Sequence, residues 1–168
     1  MCLRPLGMMS TMAEAEHPDV AAIGRFLGDD GARLAVAESL TGGELSSRFA
    51  TADGSSDWYR GAIVAYSSDV KRSLLDVPDG PVVSEPAVVA MAENVAELLG
   101  ADVGVAVSGV AGPASQDDQP PGTVWVAISI AGRTHTRLEH FAGEPAEVVD
   151  ATLRCATAWL LELLDQTS

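Results

Sequence analysis

Two short segments of the sequence carry side chains that could hydrolyse an amide bond. In the first, Glu38-Ser39-Leu40-Thr41-Gly42-Gly43, a serine follows a short apolar run and precedes a segment with helical periodicity. A serine between a strand and a helix lies close to free backbone N–H groups and to the positive end of the helix dipole, which suits an oxyanion or a phosphate. The alternative is that Ser39 or Thr41 only caps the following helix, and the string alone does not separate the two.

Lys71 could supply the base that such a serine needs. Tyr66 and Lys71 lie where a predicted strand passes into a predicted helix, so both could reach over the same edge of a sheet. Burial lowers the pKa of a lysine, and a neutral amine can then take the proton of a serine hydroxyl. The alternative is a solvated lysine on a helix surface.

The second segment begins at Ser108 and continues as Gly109-Val110-Ala111-Gly112-Pro113. It follows an apolar run that reads as a buried strand, and its glycines allow backbone amides to approach a ligand closely. We interpret it as a second cradle for a phosphate or an oxyanion. A tight structural turn is an equal alternative.

The sequence predicts no metal site and no cofactor. Asp117 and Asp118 lie in a polar stretch, 114–121, and are expected to be solvated loop residues. The histidines are scattered, with no acidic or cysteine partner at the spacing of metal ligands: His17, His135 and His140.

These segments need an α/β scaffold to position them. Apolar periodicity predicts helices over 18–27, 45–50, 67–75, 84–99 and 147–164. Apolar and β-branched runs predict strands over 33–37, 58–66, 102–107, 123–130 and 134–141. The last two strands are joined by a hairpin at 131–133, so the sheet is mixed, and 54–56 reads as a loop.

Length and charge bound the class of protein. The 168 residues are expected to form a loosely ordered leader, 1–16, and a single domain, 17–168. The formal charge of -14 argues against nucleic acid and anionic lipid as partners, although local donors can still hold a small anion. No stretch is long enough to span a membrane. Cys2 and Cys155 are too far apart in sequence to suggest a disulfide framework, which fits a reducing cytoplasm.

Several strings, taken together and in order, resemble the CinA C-terminal domain family. They are 37–43, 54–56, 61–67 with Lys71 and 74–75, 83–85 with 91–92, 108–113 and 121–124. The resemblance covers roughly residues 20–165. Each string is modest by itself, but six in this order are specific.

The resemblance implies a three-layer α/β/α domain with a mixed sheet of five strands. It also implies an amidohydrolase that converts nicotinamide mononucleotide to nicotinate mononucleotide and ammonia without a metal. The catalytic positions of the family fall on Ser39, Tyr66 and Lys71. The positions around the ligand fall on Thr41, Gly42, Gly43, Ser108, Gly109 and Gly112.

The chain also departs from the family. Gly143-Glu144-Pro145 and Val149 stand where family members commonly have two arginines, and 114–121 lacks the usual Lys-Pro. Arg133, Arg137 or Arg154 could compensate. The missing cations favour an alternative from another class, a catalytically impaired nucleotide-binding or regulatory protein of the same fold. A role in DNA repair or competence is disfavoured by the acidic surface.

The sequence carries one weak sign of assembly. Trp58 and Trp159 are expected to be exposed contact residues, and we therefore predict a homo-oligomer.

Overall fold

A computed structural model of the chain describes residues 17–167. Its five strands are β1 (Leu34–Glu38), β2 (Tyr59–Val64), β3 (Val103–Gly109), β4 (Thr123–Ile130) and β5 (Arg133–His140). They form one sheet in the order β2-β1-β3-β4-β5, in which β1 is parallel to β2 and β3 while β4 is antiparallel to β3 and β5. The mixed five-stranded sheet is therefore confirmed. The predicted leader, 1–16, lies outside the described residues.

Six helices accompany the strands within 17–167. They are α1 (Pro18–Asp30), α2 (Glu44–Ala50), α3 (Ser55–Trp58), α4 (Ser68–Leu75), α5 (Glu85–Leu99) and α6 (Pro145–Thr167). The prediction of a loop over 54–56 was wrong, because Ser55 begins the one-turn helix α3. That turn carries the Trp58 ring into the core, where it meets the Phe49 ring edge-on at 6.1 Å.

The sheet is covered on both faces, which confirms the three-layer α/β/α architecture. Valine and leucine side chains of β1 and β3 pack beneath α1, α2 and α6, whereas the alternate positions of the same strands are alanine or glycine and face α4 and α5. These small residues let α5 lie very close to β3. A Cβ at Gly104 would meet the Ala92 carbonyl oxygen at 2.0 Å.

Helix α5 begins as the sequence predicts. The Ser84 hydroxyl accepts a hydrogen bond from the Ala87 amide at 3.4 Å, and Pro86 stands in the first turn, where its missing N–H costs nothing. The segment before the helix, 81–84, lies against the carboxyl end of β3, where the Val82 carbonyl accepts a hydrogen bond from Ser108.

The prediction that Trp58 and Trp159 are exposed was wrong. Both indole rings are buried in the core beneath α1 and α6. The homo-oligomer that rested on them stays a prediction without that support. Within 17–167, no helix is long and apolar enough to cross a membrane.

Candidate active site

The loop that follows β1 is organised by the carboxylate of Glu38. This side chain is completely buried, and its Oε2 accepts hydrogen bonds from the Thr41 hydroxyl at 2.7 Å and from the amides of Gly43 and Leu45 at 3.1 and 3.0 Å. Its Oε1 accepts from the Ser46 amide at 2.7 Å. A carboxylate at the positive end of α2 is electrostatically favoured there. Glu38 therefore caps α2, and neither Ser39 nor Thr41 does, although the sequence offered both.

The Ser39 hydroxyl does not cap helix α2. Its amide continues the sheet by donating to the Val107 carbonyl at 3.1 Å, and its side chain is 7% exposed. Within the described part of the chain, the Ser39 hydroxyl has no hydrogen-bond partner. The amides of Leu40 and Thr41 also donate to no group among residues 17–167. A free hydroxyl followed by two free amides is a geometry that a nucleophile and an oxyanion can use.

The glycines of the same loop act differently from the prediction. The Gly42 amide donates to the Ser39 carbonyl at 3.1 Å, and the Gly43 amide is engaged by Glu38. Neither amide is therefore available to a ligand in this conformation. Their φ angles of 58° and 106° lie in the left-handed region, so these glycines make the turn that exposes the amides before them.

Ser39 and Ser108 are brought together by strand register. Glu38 of β1 is paired with Val107 of β3, so the two serines follow on adjacent parallel strands. Side chains alternate along a strand, and both serines continue the face that packs against α4 and α5. The Ser108 side chain is fully buried, and its hydroxyl donates to the Val82 carbonyl at 2.7 Å.

Lys71 lies on α4, over that same face of the sheet. It is the only lysine in the sequence, and its side chain is 1% exposed, so the interpretation as a solvated surface lysine was wrong. The Nζ atom donates to the Tyr66 carbonyl oxygen at 3.2 Å. Glu38 pairs with Val64, and the Ala65 amide donates to the Glu38 carbonyl at 2.8 Å. Ala65 therefore lies beside Ser39, and Tyr66 is the next residue along the chain.

Burial governs the electrostatics of this lysine. Desolvation lowers the pKa of Lys71 below its usual value, Asp117 acts in the opposite direction, and Arg72 adds to the lowering. The neutral amine that a general base requires is therefore more accessible than on an ordinary lysine.

Tyr66 contributes to the site through its backbone. Its side chain is 74% exposed and makes no hydrogen bond among the described residues. The sequence predicted that Tyr66 and Lys71 could both reach over the same edge of the sheet. The structure gives Lys71 the carbonyl oxygen of Tyr66 and leaves the tyrosine ring exposed.

Asp117 is an exposed loop residue, as the sequence predicted, but the sequence reasoning missed the hydrogen bonds of its carboxylate. The structure turns this residue back toward the segment before α5, where its Oδ2 accepts from the amides of Val82 and Val83 at 2.7 and 3.0 Å. A positive φ of 52° at a non-glycine residue accompanies this turn. The signal in the sequence was an aspartate in a loop, a residue type that tolerates left-handed backbone.

The glycines after Ser108 serve close packing and a turn. Gly109 belongs to β3, and a Cβ there would lie 2.6 Å from the Thr123 carbonyl oxygen. Gly112 has a φ of 104° and precedes a cis bond to Pro113. Gly109 therefore serves close packing within β3, and the alternative of a structural turn is consistent with the geometry at Gly112.

None of the candidate compensating arginines lies at this end of the sheet. The Arg137 guanidinium stacks over the Trp159 ring at 4.5 Å, on the opposite face, and Arg154 pairs with Asp150 on α6. Arg133 pairs with Ile130 in the hairpin at the other end of β4. No group of three or more metal-ligating side chains occurs within residues 17–167.

The sequence was compared with families of known proteins. The family described as "CinA C-terminal domain" matches residues 17–164. The chain belongs to this family.

Relatives and solved structures give the same picture. The chain is 38% identical over 151 residues to a protein of Escherichia coli K12 named "Nicotinamide-nucleotide amidohydrolase PncC", covering 86% of this chain and 89% of that protein. It is 42% identical over 127 residues to a "CinA-like protein" of Salinibacter ruber, covering 72% of this chain but only 31% of the relative. The chain thus spans about a third of that larger CinA-like relative.

The fold is shared with crystal structures of the family. The competence damage-inducible protein A (ComA) of Klebsiella pneumoniae superposes with a TM-score of 0.84 at 37% identity, covering 88% of this chain and 95% of that one. A CinA superfamily protein of Escherichia coli superposes with a TM-score of 0.85 at 33% identity, covering 93% and 95% of the two chains.

Proposed function

We propose that this chain is an amidohydrolase that releases ammonia from the carboxamide of nicotinamide mononucleotide, with Ser39 as nucleophile and Lys71 as general base. The observation that carries the proposal is the burial of the only lysine over the sheet face that Ser39 and Ser108 share. The relative named for nicotinamide-nucleotide amidohydrolysis supports the choice of substrate.

The first half-reaction uses three groups of the site. The neutral Lys71 amine takes the proton of the Ser39 hydroxyl while its oxygen bonds to the carboxamide carbon of the substrate. The carbonyl oxygen becomes an oxyanion, which the free amides of Leu40 and Thr41 stabilise by hydrogen bonding. The Lys71 ammonium returns the proton to the amide nitrogen, the C–N bond breaks, and ammonia leaves an ester on Ser39.

Water completes the turnover at the same groups. Lys71, neutral again, takes a proton from a water molecule whose oxygen attacks the ester carbon. The C–O bond to Ser39 breaks and the serine recovers its proton from Lys71. The carboxylic acid product gives its own proton to solvent and leaves as a carboxylate. No metal and no cofactor takes part in the proposed steps.

Tyr66 has two proposed contributions. Its carbonyl oxygen orients the Lys71 amine through the 3.2 Å hydrogen bond. Its ring is exposed, and the proposed role of the ring is to stack on the aromatic base of the substrate.

Ammonia release from nicotinamide mononucleotide tests this proposal. Purified wild type is expected to release ammonia, Ser39→Ala and Lys71→Ala are expected to release none, and Ser47→Ala serves as a matched serine control on the exposed side of α2. Thermal unfolding of each variant establishes that it is folded. If wild type and Ser39→Ala are equally silent at high enzyme concentration, the proposal is overturned.

A second candidate function follows from the charges around the start of α6. The first turn of that helix contains Glu147, whose carboxylate accepts from the Glu144 amide, and Arg137 and Arg154 are engaged elsewhere. An acidic side chain in the first turn of α6, where the family commonly has an arginine, favours a binding or regulatory protein that does not hydrolyse the nucleotide. Calorimetric binding of nicotinamide mononucleotide without ammonia release would select this function.

The remaining aspects of the cellular role stay predictions. We expect a cytoplasmic protein that acts on a small nucleotide, does not bind nucleic acid and forms a homo-oligomer.

A further inference from the structure

The Asp117 carboxylate ties the loop 114–121 to the segment that covers the candidate site. Its Oδ2 receives both consecutive amides of Val82 and Val83, at 2.7 and 3.0 Å. Hydrogen bonds from backbone N–H groups to a carboxylate are about twice as strong as those between neutral groups. The loop is therefore anchored at this side chain.

The anchored peptide is also bonded to the site itself. The Val82 carbonyl oxygen accepts from the buried Ser108 hydroxyl at 2.7 Å, while the amide of the same residue donates to Asp117. Val82 is thus held from both sides, and a hydrogen-bonded chain runs from the loop to the sheet face beside Ser39. Loss of the Asp117 carboxylate would release one end of this chain.

We propose that Asp117 is a positioning residue of this site, holding the 81–84 segment against Ser108. The catalytic consequence of this inference rests on the proposed function, whereas the hydrogen bonds with Val82 and Val83 do not. Asp117→Asn keeps an amide oxygen that can accept both backbone hydrogen bonds, whereas Asp117→Ala removes the acceptor. Asp118→Asn is the matched control on the adjacent residue.

The first experiment measures hydrogen exchange of the Val82 and Val83 amides by NMR. We expect these two amides to exchange at least about tenfold faster in Asp117→Ala than in wild type, because their acceptor is lost. Their exchange in Asp117→Asn and Asp118→Asn should stay close to that of wild type. Unchanged exchange in Asp117→Ala, or an equal increase in Asp118→Asn, would overturn the role in holding the segment.

The second experiment follows ammonia release. In Asp117→Ala, kcat on the alkaline plateau is expected to fall by on the order of tenfold or more relative to Asp117→Asn, because the segment is no longer held. Equal plateau values in the two variants would overturn the role in holding the segment.

The two experiments distinguish this inference from the proposed function. If wild type releases no ammonia but the Val82 and Val83 amides exchange faster in Asp117→Ala alone, the proposed function fails and the role in holding the segment stands. If ammonia is released and these amides exchange equally in wild type and Asp117→Ala, the role of Asp117 fails and the proposed function stands.

Discussion

Replacement of Glu38 by glutamine tests the central structural element of the site. The carboxylate accepts four hydrogen bonds, three on Oε2 and one on Oε1. Glutamine can direct its oxygen toward the three donors, but its NH₂ group then faces the Ser46 amide, which is also a donor. The residues of loop 39–43 would be unchanged, while the side chain at position 38 would lose one hydrogen bond and its negative charge.

The expected loss of stability can be built from these contacts. The Ser46 amide loses its partner, which costs about 1 to 3 kcal/mol, and each of the three retained bonds weakens because the acceptor is no longer ionised. The smaller cost of burying a neutral amide offsets part of this. We expect the free energy of unfolding to fall by about 2 to 4 kcal/mol, which is a large part of the stability of a domain of this size.

Urea unfolding of wild type and variants measures this difference. Glu44→Gln is the matched control, since it removes one exposed acidic charge from the first turn of the same helix and should cost no more than about 1 kcal/mol. The reasoning is refuted if Glu38→Gln lies within about 1 kcal/mol of Glu44→Gln, since the carboxylate would then not organise the loop.

Two further predictions concern Tyr66 and Lys71. Tyr66→Phe should keep most of kcat/KM, because it keeps the aromatic ring that is proposed to stack on the substrate. Tyr66→Ala should lower kcat/KM by roughly tenfold through weaker substrate binding. Equal losses of kcat/KM for the two variants in steady-state ammonia assays would instead point to the phenol hydroxyl. Lys71→Met should release no ammonia and yet unfold at higher urea concentration at pH 7. The reason is that the folded state lowers the pKa of Lys71 from 10.5, so it binds the proton less tightly than the unfolded chain does. The wild-type free energy of unfolding should accordingly rise as pH increases from the folded-state pKa toward 10.5, and the gap to Lys71→Met should close over that window; a Met variant that is less stable at pH 7 would contradict this.

The sequence by itself determined the order of the elements apart from α3, and it determined the residues that could do chemistry. The periodicity of apolar residues and runs of β-branched residues are local properties of the sequence. They predicted α5 from its Ser84 cap to Gly100, and they predicted the β4–β5 hairpin. Ser39 and Lys71 were also named from residue type and local position alone, because a strand end before a helix is recognisable without a fold.

Only the tertiary structure decided how these residues are used. The burial of Lys71 and Trp58 depends on which helix covers which face, and the exposure of Tyr66 depends on where β2 ends. No local pattern in the sequence shows whether these side chains face the core or the solvent. The roles of Glu38 and Asp117 likewise arise from contacts between loops and strands that the register of β1 with β3 brings together, and hydrogen bonding across such distances in sequence is a property of the packed domain.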